Sequence, residues 1–171
     1  MSINKYKTKR GQSLIEAIVA LGVLTMGFLG IVSVLSKSFF YEKNISNTMT
    51  ATYLASEGIE VIKNIIDNAS STNGTWYACL QNGASYEVDH QTNCNSPISS
   101  YYSGNYLRFD NSTNLYSYDS SASPTIFLRD IKIDISGDEL TVNSIVSWSN
   151  GVFSNQSIDM EDHFYNWKPK S

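Results

Sequence analysis

Charge is scarce in this chain, at 16% of 171 residues, and histidine and cysteine are scarcer still, with two of each. His90 and His163 alone leave little from which to assemble a nucleophile–base pair or a metal centre. No G-x-x-x-x-G-K-[S/T], G-x-G-x-x-G, H-E-x-x-H or G-x-S-x-G pattern occurs. Phosphate-loop, dinucleotide, zinc-protease and serine-hydrolase chemistry therefore has no basis here; the chain reads as a non-enzyme without a cofactor. Acids are absent from the first ten residues, and proline is absent from residues 36–68. The first absence leaves a purely basic start, and the second leaves nothing to break a helix.

The apolar residues are unevenly placed. Residues 17–35 read AIVALGVLTMGFLGIVSVL, uncharged, with only Thr25 and Ser33 as polar breaks. Nineteen residues make about 28 Å of helix, close to the roughly 30 Å hydrocarbon core of a bilayer. A secretory signal would have a shorter apolar stretch with a small-residue cleavage site behind it, and none follows here. Lys5, Lys7, Lys9 and Arg10 precede the run. The 12 basic residues less these four leave 8 against 16 acidic ones, a net of −8 for the rest of the chain. Basic flanks stay cytoplasmic, so the acidic bulk is expected outside, in a domain rich in Ser, Asn, Thr and Tyr. That acidity also argues against nucleic acid as a partner.

In an oxidising compartment Cys79 and Cys94 are expected to pair, closing a loop that contributes about 3 kcal/mol. Free thiols remain open, as does a zinc site using His90, although three ligands without C-x-x-C spacing fit zinc poorly. Glu16 sits at the edge of a segment otherwise fit for lipid. A carboxylate costs about 2.5–3.5 kcal/mol near a bilayer centre and less at the edge, so it either faces headgroups or takes a partner.

The stretch K-R-G-Q-S-L-I-E-A-I-V-A-L-G-V-L, residues 9–24, resembles the signal of type IV prepilins and of the related pseudopilins of type II secretion. The resemblance implies cleavage after Gly11 by a membrane aspartyl peptidase and N-methylation of the new first residue, Gln12. It further implies that Glu16 neutralises the α-amino group of a neighbouring subunit. Buried alone, each of those charges is expensive, and pairing between subunits relieves both. The first mature residue of the family is more often phenylalanine. ATYLASEGIEVIKN, residues 51–64, resembles a stretch of some minor pilins through Leu54, Ala55, Glu57, Gly58, Ile59 and Glu60; by spacing alone it is an amphipathic helix with solvated glutamates.

The expected organisation is a leader at 1–11, a membrane or filament-core helix at 12–36, its amphipathic continuation at 37–68 and an extracytoplasmic β-rich domain at 69–171. Met49, Tyr53, Leu54, Val61, Ile62, Ile65 and Ile66 form the apolar stripe of the continuation, with Glu57, Glu60, Lys63 and Asn64 off it. Gly22, Gly27 and Gly30 fit either close helix packing or local unwinding in a filament. Beyond residue 74 the period becomes that of strands. In 127–136, Phe127, Ile131, Ile133 and Ile135 share one face, with Arg129 the exception on it. Gly137-Asp138 signals a turn, 140–148 is its partner strand, 157–164 an edge strand, and shorter candidates lie at 75–80, 84–89, 105–109 and 114–118. Residues 95–124 read overall as a long polar loop. The fold class is α+β: one long N-terminal helix packed on a mostly antiparallel sheet.

Asp159, Glu161 and Asp162 read as a solvated patch rather than a calcium loop. Tyr101, Tyr102, Tyr106, Tyr116 and Tyr118 read as strand residues before a binding surface. The functional expectation is a minor pilin or pseudopilin whose partners are other pilin subunits, a prepilin peptidase, the inner-membrane assembly platform and the membrane. It would be a single-pass membrane protein before assembly and an extracytoplasmic filament after it. The alternative is a stand-alone adhesin or receptor domain tethered by the same helix.

Overall fold

A computed structural model describes residues 10–69, 76, 77, 79–94, 98, 102–149 and 155–166. The described elements are one helix, α1 (Arg10–Ala69), and six strands, β1 (Ser85–Tyr86), β2 (Tyr106–Asp110), β3 (Leu115–Ser117), β4 (Ser123–Ser136), β5 (Glu139–Trp148) and β6 (Gln156–Tyr165). Every strand pairing is antiparallel, so the fold is α+β with one long N-terminal helix and an antiparallel sheet. The chain divides into two compact units, Met1–Ser46 and Asn47–Ser171, with α1 contributing to both.

In the first unit every side chain from Ser13 to Lys43 is exposed, including Leu14, Ile18, Leu21, Phe28 and Leu35. This part of α1 is long and apolar enough to cross a membrane. Two of its hydroxyls are satisfied within the helix: Thr25 Oγ1 donates to Gly22 O at 2.9 Å and Ser36 Oγ to Val32 O at 2.9 Å. A hydroxyl satisfied by its own helix carries a much smaller penalty in an apolar medium than a free one.

In the second unit, residues 51–66 of α1 lie on one face of the sheet. Ile59, Ile62, Ile65 and Ile66 pack with Tyr86, Val88, Ile131, Ile133, Leu140 and Val142. Ala51, Leu54 and Ala55 pack with Leu107, Phe127, Val146 and Trp148. Each buried large apolar side chain contributes about 1.5–3 kcal/mol, so these clusters supply the main driving force for the unit. The sheet order is β3-β2-β4-β5-β6, with β1 also on β4. Long alternating strands form the β4–β5 hairpin, in register from Phe127↔Trp148 to Ser136↔Glu139. Gly137, at φ 65°, opens its two-residue turn, a conformation that glycine adopts without steric cost.

Several expectations are corrected. Met49 and Tyr53 are exposed, and the buried stripe runs through Ala51, Leu54, Ala55, Gly58, Ile59, Ile62, Ile65 and Ile66. Small residues at 51, 55 and 58 bring the helix backbone close to the sheet, which hydrophobicity alone does not reveal. Residues 76, 77 and 79 are turns, not a strand, and Leu80 N donates to Tyr77 O at 2.9 Å. The 84–89 candidate shrinks to β1. The 95–124 stretch is not a loop throughout, because β2 and β3 form a hairpin within it. That turn is held by Asp110, whose carboxylate accepts from Ser112 N at 2.8 Å, Ser112 Oγ at 2.7 Å and Thr113 Oγ1 at 2.9 Å.

Candidate functional site

Gly11 and Gln12 lie in the first turn of α1, which begins at Arg10. Glu16 follows four residues after Gln12, so the two positions share a helix face. The Glu16 side chain is exposed, and no described residue forms an ion pair with it.

The most constrained polar group is Arg129, whose side chain is 0% exposed. Strand alternation puts it on the apolar face between Phe127 and Ile131. Its Nη1 donates to Leu54 O at 2.9 Å and meets Glu57 Oε2 at 3.3 Å. Its Nη2 donates to Val88 O. One guanidinium therefore ties α1 and the segment after β1 to β4. Arg suits the task because its planar fork reaches several acceptors at once. Tyr118 Oη donates to Arg129 O at 3.3 Å; burial pushes this phenol well above its ordinary 10.0, and the positive charge of Arg129 opposes the shift.

On the opposite face of the sheet, His163 of β6 lies between two glutamates. Its Nδ1 is 2.9 Å from Glu139 Oε1 and its Nε2 is 3.1 Å from Glu161 Oε1. Tyr165 Oη donates to Glu139 Oε1 at 2.8 Å, and Asn143 Nδ2 to Glu161 Oε2 at 2.9 Å. Hydrogen bonds to Glu139 and then Glu161 raise the His163 pKa above 6.5. Asp159 shares this face, while Asp162 pairs opposite buried Val142 and projects the other way. The acidic residues of β6 are thus split between two faces, and among the described residues no group of three His, Cys, Asp or Glu side chains is arranged to hold a metal ion.

Cys79 and Cys94 are joined as a disulfide across 15 residues, so neither belongs to a zinc site. Tyr102 and Tyr106 are exposed, whereas Tyr116 and Tyr118 pack against the Ala51–Leu54 cluster; Tyr101 lies outside the described residues. The roles of Arg129 and Gly58 do not follow from local sequence pattern. A base on an otherwise apolar strand face and a glycine on a buried helix stripe were the available signals. No family model matches the chain, and no curated protein or solved structure matches it.

Proposed function

We propose that the protein is a structural subunit of a type IV pilus-like filament, a minor pilin or pseudopilin, built into the filament through the first half of α1. The observation that carries this reading is a helix uncovered from Ser13 to Lys43, with the uncharged apolar run 17–35 in it, headed by K-R-G-Q-S-L-I-E with Glu16 unpaired among the described residues. Cleavage after Gly11 frees the Gln12 amine, which the resembled family methylates. Glu16 then engages the amino terminus of a neighbour, and the apolar faces of adjacent helices cover each other. The acidic β-domain stays outside. The partners are other subunits, a prepilin peptidase, the inner-membrane assembly platform and the membrane before assembly.

The test is the intact mass of the membrane-extracted protein co-expressed with its peptidase, beside Gly11→Ala. A wild-type chain starting at Gln12 with an uncut variant supports the reading, as does loss of filaments in Glu16→Ala. A wild-type chain that keeps residues 1–11 beside active peptidase sinks it and leaves a tethered adhesin or receptor domain.

A further inference from the structure

We infer that residues 37–43, KSFFYEK, form a collar that seats α1 at the outer headgroup layer of the bilayer and fixes its depth before assembly. The inference rests on the reading that α1 crosses a membrane, and not on the filament. Between Ser13 and Ser38 the only aromatic is Phe28; then Phe39, Phe40 and Tyr41 follow in one turn, exposed by 69%, 54% and 61%. Lys37 and Lys43 bracket them, and both side chains are exposed.

The spacing matches a bilayer. Glu16 and Lys37 are the charged residues nearest each end of the apolar run. Twenty-one steps of about 1.5 Å separate them by about 31 Å, against roughly 30 Å of hydrocarbon. Phe39 to Tyr41 then fall about 3–6 Å further out, inside a headgroup layer about 5–7 Å deep on each side. The order is also correct, with two phenylalanines on the hydrocarbon side and the hydroxyl-bearing tyrosine outermost. Aromatic side chains gather at this level, and lysines there extend their ammonium groups toward lipid phosphates.

The distribution around the helix distinguishes two ways of touching lipid. Successive residues turn by about 100°, so Phe39, Phe40 and Tyr41 span about 200° of the circumference. A helix lying in the interface segregates its apolar and charged faces, and this one does not. Aromatics spread over more than half of the circumference suit a helix that passes through the interface. Four basic residues at the other end, with no acid among them, still outweigh two lysines and Glu42 here, so the orientation is unchanged.

The experiment uses the full chain in phosphatidylcholine–phosphatidylglycerol vesicles, with one nitroxide label in turn at Met26→Cys, Phe40→Cys and Ile45→Cys. The native cysteines are joined to each other, so the introduced thiol is the only one labelled. Oxygen access reports the hydrocarbon and access to a water-soluble nickel chelate reports water. The expected result is severalfold less nickel access at Phe40 than at Ile45, with severalfold less oxygen access than at Met26. Nickel access at Phe40 equal to that at Ile45 overturns the collar, as does oxygen access equal to that at Met26, or failure of the chain to insert. If Phe40 is wet in vesicles but shielded in filaments, a neighbouring helix covers the ring and the collar is overturned. A chain that keeps its leader beside active peptidase yet shows the expected profile in vesicles supports the collar while removing the filament reading.

Discussion

Gly58 of α1 sits directly against Arg129 of β4: a Cβ placed on Gly58 would lie 3.2 Å from Arg129 Cδ. The same atom would lie 2.7 Å from both Ile131 Cδ1 and Ser144 Oγ. Arg129, Ile131 and Ser144 are each fully buried. The glycine is the notch that lets the guanidinium reach Leu54 O and Glu57.

Gly58→Ala therefore sets two effects against each other. Alanine gains about 1 kcal/mol of helix propensity. Overpacking a filled core costs about 1–3 kcal/mol, and two contacts at 2.7 Å place this site toward the upper end. The expected net loss is about 1–2 kcal/mol in chemical denaturation of the full chain in detergent, with Gly58→Leu losing more. A gain in stability for Gly58→Ala would show that Ile131 and Ser144 move aside freely.

The notch and the ion pair together set a single register. A slip of one helical turn would place Leu54 or Ile62 against Arg129 and replace Glu57 with Tyr53 or Val61, leaving a buried cation without its anion. Arg129→Met is expected to cost about 3 kcal/mol, because it strands Val88 O and unpairs Glu57. Glu57→Gln is expected to cost about 1 kcal/mol, since Glu57 is 33% exposed and glutamine still accepts a hydrogen bond. In a double-mutant cycle the two should couple by about 1 kcal/mol; strictly additive losses would mean that the backbone carbonyls carry the interaction.

What the sequence disclosed follows the strength of each periodic signal. α1 is readable because an uncharged apolar run passes without a proline into a stretch with helical spacing, and β4 and β5 because a 2-residue period persists along them; for these and for β6, expected and observed ends differ by a few residues at most. The hairpin turn at Gly137-Asp138 was readable from its chemistry. Residues 75–80 misled because Trp76, Tyr77, Cys79 and Leu80 look like a strand, while the disulfide and the turn at Tyr77–Leu80 decide their path. Arg129 was visible as an anomaly, but its acceptors lie 41–75 residues away, and no local pattern joins them. Glu57 looked solvated for the same reason.

The disulfide closes a loop of 15 residues that contains β1. In the chain-entropy account, cross-linking a loop of that length stabilises the fold by about 3 kcal/mol. Cys79→Ala/Cys94→Ala should lose that amount in equilibrium unfolding. The loss should appear first as faster hydrogen exchange at Gly83 and Ile133, whose amides donate to Ile133 O and Ala84 O. Unchanged exchange there would place the effect in the unfolded chain alone.

The His163 cluster gives stability a dependence on pH whose sign can be worked out. Its folded pKa is raised above 6.5, first by Glu139 and then by Glu161. Its contribution is complete below 6.5 and is lost as pH rises through the folded value. Glu139 is held below 4.5 by Tyr165 and then His163, and Glu161 by Asn143 and then His163. Their contributions are complete above 4.5 and are lost as pH falls through the folded values. Both halves of the cluster therefore act together between 4.5 and 6.5, where the histidine is charged and the glutamates are ionised. In urea unfolding of the full chain, the midpoint of the wild type should exceed that of His163→Gln most near pH 5.5, with the gap closing as pH rises above 6.5 and through the folded value. The paired side chains are 38–54% exposed, so added salt should narrow the gap at the acidic end. A gap that is constant across this range would mean that His163 acts through neutral hydrogen bonds and that its charge does not hold β6 to β5.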